Sequence, residues 1–235
     1  MKILRSVISL KKSAYKRALC ALLSVFLVLT MVFPGEVALA ASAPGNVARF
    51  SMTGCSASTV RLSWSKVKGA SGYRIRRYDS KSKKWKTVLT ATKGSAIKGT
   101  VKKLSPATTY KLQIHAYKKA GKKTLYSKKA KTLTVATKPA KVTLQSVKAS
   151  GAKITVSWKK VAASGYQVIY ARNKQFKNGE SILVGGSNKA ATYYAPYSGT
   201  YYVHLRPYKN LNGKKYYGSW SNTKTVKVNI RKQAY

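Results

Sequence analysis

The chain is short of negative charge. Only Glu36, Asp79 and Glu180 are acidic among 235 residues, against 47 lysines and arginines, for a formal charge of +44. Histidine occurs twice, at His115 and His204, and cysteine twice, at Cys20 and Cys55. These shortages exclude whole classes of chemistry. A glycosidase needs two carboxyls within about 10 Å, and a hard-cation site needs several oxygen ligands. Asp79 and Glu180 each fall just after the third strand expected in separate halves of the chain, so they are not placed to meet. Each histidine lacks a cysteine or carboxylate near it in sequence, so neither a zinc site nor a Ser-His-Asp triad is expected. No catalytic residue, metal, cofactor or small-molecule substrate is assigned.

Long apolar runs are scarce as well. The one candidate, Ala18 to Phe33, follows six basic residues and precedes Ala38-Leu39-Ala40, a small-x-small pattern. That order reads as a secretory signal peptide over residues 1–40, and a run of about 16 residues is short for a membrane span. Cys20 lies at the start of the run behind Leu19, which is wrong for a lipoprotein site. Removal of this leader would leave 47 − 6 = 41 basic and 3 − 1 = 2 acidic residues, a charge of +39 over 195 residues. Only Cys55 would remain, so packing without an internal disulfide must hold the fold. Cys55, in "TGCSAST", reads as a small residue in a loop or at a strand edge, with an intermolecular bridge as the alternative.

Helical periodicity is also missing, and alternation with a period of two takes its place. "TVRLSW" (59–64), "YRIRRY" (73–78), "TYKLQIHAY" (109–117) and "TLTVAT" (132–137) read as strands, as do "KITVSW" (153–158), "YQVIY" (166–170), "TYYVHL" (200–205) and "KTVKV" (224–228). Gly, Ser, Asn and Pro clusters separate them at short intervals, the pattern of an all-β sandwich. The chain also repeats itself. "SWSKVKGASGYRI" (63–75) returns as "SWKKVAASGYQV" (157–168), so Trp64 matches Trp158 and Gly72-Tyr73 matches Gly165-Tyr166. Tyr110 matches Tyr201, and Pro44 and Pro139 open the two copies. Each unit is about 93 residues, joined almost without linker through "VATKPAK" (135–141).

A Pro-led first strand, a second strand ending in Trp and an "SGY" opening the third resemble the fibronectin type III pattern, over about 44–230. "LSPATTY" (104–110) is similar to that family's turn into the sixth strand, with Tyr110 as the tyrosine corner; in the second unit Ala195 replaces Leu104 and Pro196 is shifted by one. The resemblance is closest to tandem copies on secreted bacterial surface proteins. It implies two tandem seven-stranded immunoglobulin-like β-sandwiches, over 43–137 and 138–230, followed by a short basic tail at 231–235. It implies Trp64, Trp158, Tyr73 and Tyr166 in the cores. No Arg-Gly-Asp occurs, so the integrin-binding role of some animal members does not transfer.

Strand alternation places Arg74, Arg76, Tyr78, Lys111, His115 and Tyr117 outward in the first unit, and Tyr202, His204, Arg206 and Tyr208 outward in the second. Lysine runs fall mainly in turns and exposed strand positions: "KSKKWK" (81–86), "KKAGKK" (118–123), "SKKAK" (127–131) and "NGKKYY" (212–217). Lys122 and Lys123, and Lys214 and Lys215, stand at corresponding hairpin tips. Ordinary surfaces intersperse both signs. Lysine outnumbers arginine 37 to 10, which suits diffuse attraction better than bidentate reading. The expected role is a secreted, non-enzymatic, monomeric module, loosely held at a Gram-positive cell wall by anionic wall polymers or acidic glycans. Extracellular DNA would bind only non-specifically. No Leu-Pro-x-Thr-Gly signal or C-terminal apolar anchor is seen. The alternative is a structural spacer or adhesin-type protein-interaction module with no polymer site.

Overall fold

The computed structural model describes residues 42–230; the expected leader and basic tail lie outside them. Sixteen strand segments follow, without a helix. The first eight are β1 (Phe50–Cys55), β2 (Val60–Trp64), β3 (Gly72–Asp79), β4 (Lys84–Ala91), β5 (Lys98–Val101), β6 (Thr109–Ala120), β7 (Lys123–Tyr126) and β8 (Lys131–Ala136). They form one sandwich. Its smaller sheet has the order β1-β2-β5; its larger has β4-β3-β6, with β7 and β8 both paired to β6. β7 and β8 are therefore two halves of a seventh strand, broken at Ser127–Ala130.

The second eight repeat this plan: β9 (Thr143–Ser150), β10 (Lys153–Lys159), β11 (Gly165–Ala171), β12 (Glu180–Gly185), β13 (Ala190–Tyr194), β14 (Gly199–Leu211), β15 (Lys214–Tyr217) and β16 (Lys224–Val228). Their sheets are β13-β10-β9 and β12-β11-β14, with β15 and β16 on β14. The fold is two tandem seven-stranded sandwiches, as the alternation and the repeat predict.

The repeated residues build the cores. Trp64 is buried against Tyr73 with ring centroids 5.5 Å apart, and Trp158 against Tyr166 at 5.1 Å. Rings of this size remove about 150–250 Å² each from water, roughly 4–6 kcal/mol of gross transfer free energy. The Tyr73 hydroxyl accepts the Val67 N–H at 2.8 Å, and Tyr166 accepts that of Val161 at 3.1 Å. Tyrosine at this position thus fills the core and closes the preceding loop. The glycine before it has a separate cause. Gly72 pairs with Tyr117 and Gly165 with Tyr208, and each tyrosine lies across its glycine; a Cβ at Gly72 would fall 2.6 Å from the Tyr117 hydroxyl and 2.2 Å from the Ala91 carbonyl. The "SGY" triplet therefore serves both faces of one strand.

The tyrosine corners also form. Tyr110 accepts the Ser105 N–H at 2.7 Å, and Tyr201 donates to the Tyr197 carbonyl at 3.1 Å. Ala195 is buried at the position of Leu104, so the second corner survives the substitution. The junction is short and pinned. Thr137 is fully buried and donates its hydroxyl to the Ser105 carbonyl at 2.7 Å. Lys138 donates its N–H to Ser56 and accepts that of Ala107. Four residues later Val142 enters the second core.

Candidate functional site

The outer faces of the two larger sheets carry the residues singled out by alternation. In the first sandwich Arg74 lies opposite His115. Its guanidinium sits 4.9 Å from the Tyr126 ring, and the His115 Nδ1 lies 3.0 Å from the Ser127 carbonyl. Arg76 donates to the Trp85 carbonyl at 2.9 Å, and Tyr78 packs edge-on against Trp85 at 5.3 Å. Lys111, Lys122 and Lys123 are exposed. Tyr117 corrects the expectation of an exposed ring: it is on the outer face but only 4% exposed, because it folds down over Gly72. The period of two gave its face correctly and its accessibility wrongly.

The second sandwich uses the same positions differently. His204 is stacked between Phe176 (3.5 Å, 6°) and Trp220 (4.0 Å, 14°). Arg206 continues the pile, 4.2 Å from Trp220 and 3.8 Å from Tyr217, and its Nε donates to the Gln167 side chain at 2.8 Å. Burial, then the neighbouring Arg206, hold the His204 imidazole down at about 4. His204 is neutral at neutral pH and adds no charge to the face. Tyr202 is half-buried, and Tyr208 covers Gly165. The expected open row of rings and cations is therefore a packed stack, with His204 and Arg206 engaged inside the molecule. Arg206 and the rings beside it satisfy one another through cation–π contact. Sequence reasoning missed Tyr126, Phe176, Tyr217 and Trp220. Tyr126 and Tyr217 occupy equivalent places in the repeat and were available from it; Phe176 is brought to His204 only by the fold.

The hairpin tips stay open. Gly121 (φ 57°) and the Asn212-Gly213 pair (φ 49° and 78°) make the two-residue turns, and Lys214 and Lys215 remain exposed beside Tyr216 and Tyr208. Lys84 and Lys86 lie at exposed positions of β4.

The charge balance is as lopsided in space as in sequence. Among the described residues one ion pair forms, between Lys86 and Asp79. Asp79 ends β3 and also accepts the Lys81 and Ser82 N–H groups at 3.0 and 3.2 Å. Its hydrogen bond from Lys86, then those backbone bonds, hold the carboxyl down at about 2. Glu180 opens β12, after an eight-residue loop, not directly behind the third strand. No group of three or more His, Cys, Asp or Glu able to hold a metal occurs among the described residues. Cys55 ends the edge strand β1 beside Lys138, and burial raises its thiol above the ordinary value.

Residues 42–132 match the fibronectin type III domain family. The first sandwich is a fibronectin type III domain. The second reproduces the fibronectin type III fold strand for strand, with the same Trp–Tyr core pair and tyrosine corner. Among solved structures, a two-domain fibronectin type III segment of chicken tenascin is 17% identical, with a TM-score of 0.45, over 80% of this chain and all of that one. Fibronectin type III domains 1–3 of chicken CNTN1 are 18% identical, with a TM-score of 0.43, over 80% of this chain and 69% of that one. No curated protein matches this sequence. Fibronectin type III domains are typically non-catalytic binding or spacer modules, and the tandem pair is suited to structural spacing or protein interaction.

Proposed function

We propose that the protein is a secreted, non-enzymatic, cationic fibronectin type III module that associates electrostatically with anionic cell-wall polymers or acidic glycans. The observation that carries this reading is positive charge without counter-charge: 47 basic residues stand against three acidic ones, and a single ion pair forms among the described residues. The exposed lysines Lys111, Lys122, Lys123, Lys214 and Lys215 are the contact points. Tyr117 and Tyr208 are not, since each is folded over a glycine. Lysine is a hydrated point charge, suited to a diffuse polymer, and DNA would be held the same way without sequence preference. The leader-like first forty residues support an extracellular setting.

Retention on such a polymer releases counterions and falls steeply with salt. The test mixes the intact protein with unstripped walls, and with walls stripped of their anionic polymer, from about 50 to 500 mM salt. Salt-labile retention on unstripped walls alone is expected. Equal retention on stripped walls, or none on either, overturns the proposal. A second reading, a spacer or protein-interaction module, is favoured by the junction, where Thr137 and Lys138 are bonded back to the first domain. A spacer stays in the supernatant at every salt concentration.

A further inference from the structure

At the end of the second domain formed by the Arg172–Gly179 loop, the start of β12 and the turn before β14 lies a cavity of about 300 Å³. That is the lower bound for small-molecule sites. Its wall is aromatic: Tyr170 of β11 is only 2% exposed and stacks on Tyr193 of β13 at 4.5 Å and 17°. Tyr197 stands at the mouth, 63% exposed, with the Arg172 guanidinium 5.7 Å from its ring.

One buried group marks the cavity as incomplete, and charges of both signs stand at its rim. The Tyr170 hydroxyl is buried and has no hydrogen-bond partner among the described residues, a state that native structures seldom leave unexplained. Glu180, opposite Tyr170 in the β11–β12 ladder, lines the same cavity as Arg172 and Lys177. None of these charges is paired, since the ion pair of the described residues is Lys86–Asp79. Opposite charges thus stand, exposed to solvent, around the rim of one small cavity. Burial, then Glu180, push the Tyr193 hydroxyl up to about 12, and that hydroxyl faces the Glu180 carboxylate. The equivalent cleft of the first domain shows what the second has added. There Arg77 stands in the place of Tyr170, laid over Tyr110 at 5.4 Å, and the carboxylate, Asp79, is tied by Lys86 and two backbone N–H groups.

We infer that this cavity binds one acidic pyranose, a sugar ring bearing a carboxylate. Arg172 and Lys177 meet the carboxylate, Glu180 accepts from ring hydroxyls, the unpartnered Tyr170 hydroxyl bonds the remainder, and the exposed Tyr197 ring offers a flat face to the sugar. The ligand class rests on the glycan reading above; the site does not share its lysines.

The test follows backbone amide NMR shifts of the intact chain in about 150 mM salt with methyl glucuronide, methyl glucoside and inorganic phosphate as probes. Methyl glucuronide is expected to shift amides around 170–180 and 193–201, and methyl glucoside to bind at least tenfold more weakly. Tyr197→Ala and Glu180→Gln should each weaken glucuronide binding about tenfold, while Lys122→Ala with Lys123→Ala leaves it unchanged. No localised shift, an equal response to glucoside, or the same shifts with phosphate overturns the inference. The two proposals fail separately. Loss of polymer retention with intact glucuronide binding sinks the electrostatic reading alone, and the converse sinks this one alone.

Discussion

Tyr73→Phe removes one oxygen from the first domain and leaves its packing in place. That oxygen accepts the Val67 N–H at 2.8 Å and lies 3.3 Å from the Gly94 carbonyl. Tyr73 is fully buried and Val67 nearly so, which keeps water from replacing the lost acceptor. An orphaned buried amide costs about 1–3 kcal/mol; the long second bond adds little, and phenylalanine keeps the ring against Trp64. At roughly 4–8 °C per kcal/mol for a domain of this size, the first domain should melt about 4–24 °C lower. Tyr117→Phe is the matched control, because its hydroxyl makes only a 3.4 Å contact with the Ala91 carbonyl; its cost should stay below about 1 kcal/mol. Calorimetry gives the melting shift, and urea titration should show a lower midpoint for Tyr73→Phe with an unchanged slope. The reasoning fails if Tyr73→Phe melts within about 2 °C of the parent, or if both variants shift alike.

Gly165→Ala should destabilise the second domain by about 1–3 kcal/mol, because its Cβ would come within 2.4 Å of the Tyr208 hydroxyl and 2.6 Å of the Val184 carbonyl; an unchanged urea midpoint would falsify the account of the "SGY" repeat. His204 gives a pH dependence. Above its ordinary 6.5 the imidazole is neutral in both states, but between 6.5 and about 4 the unfolded chain takes up the proton first, so the second domain loses stability as pH falls through that window and levels off below it. His204→Phe keeps a flat ring between Phe176 and Trp220 and should flatten the profile, read as urea midpoints at pH 7 and 5. Trp220→Ala opens one side of the stack, and NMR titration should then show the His204 pKa rising toward 6.5; a value held near 4 would refute burial as its cause.

Strands that bury alternate residues announced themselves. Ile154, Val156 and Trp158 point inward from β10, and Tyr201, Val203 and Leu205 from β14, so a period of two is written into both segments. The strands that escaped notice carry a weaker pattern. β4 begins with Lys84 and Lys86 and leaves no residue fully buried, so its sequence resembles a charged turn although it pairs along β3. β13 is an edge of a three-stranded sheet, where one ladder suffices and little needs burying. Facing direction on the outer sheets was legible for the same reason that the cores were. What closed over those faces was not. The Phe176–His204–Trp220 stack joins a loop, a strand and the break between β15 and β16, and no local pattern records such a meeting. The cavity of the second domain is of the same kind: Tyr170, Glu180 and Tyr193 come from three strands, and Glu180 looked inert while it was only a lone carboxylate.

The pinned junction sets how the pair would carry tension. A pull transmitted from the second domain reaches Lys138 first, and there it meets the backbone bonds to Ser56 and Ala107 before it can peel β8 from β6. The load is shared between the β1–β2 turn and the turn before β6, with the buried Thr137 as a second stop behind it. Extension would therefore begin with the rupture of these few bonds together, not with gradual unzipping of a strand from its end.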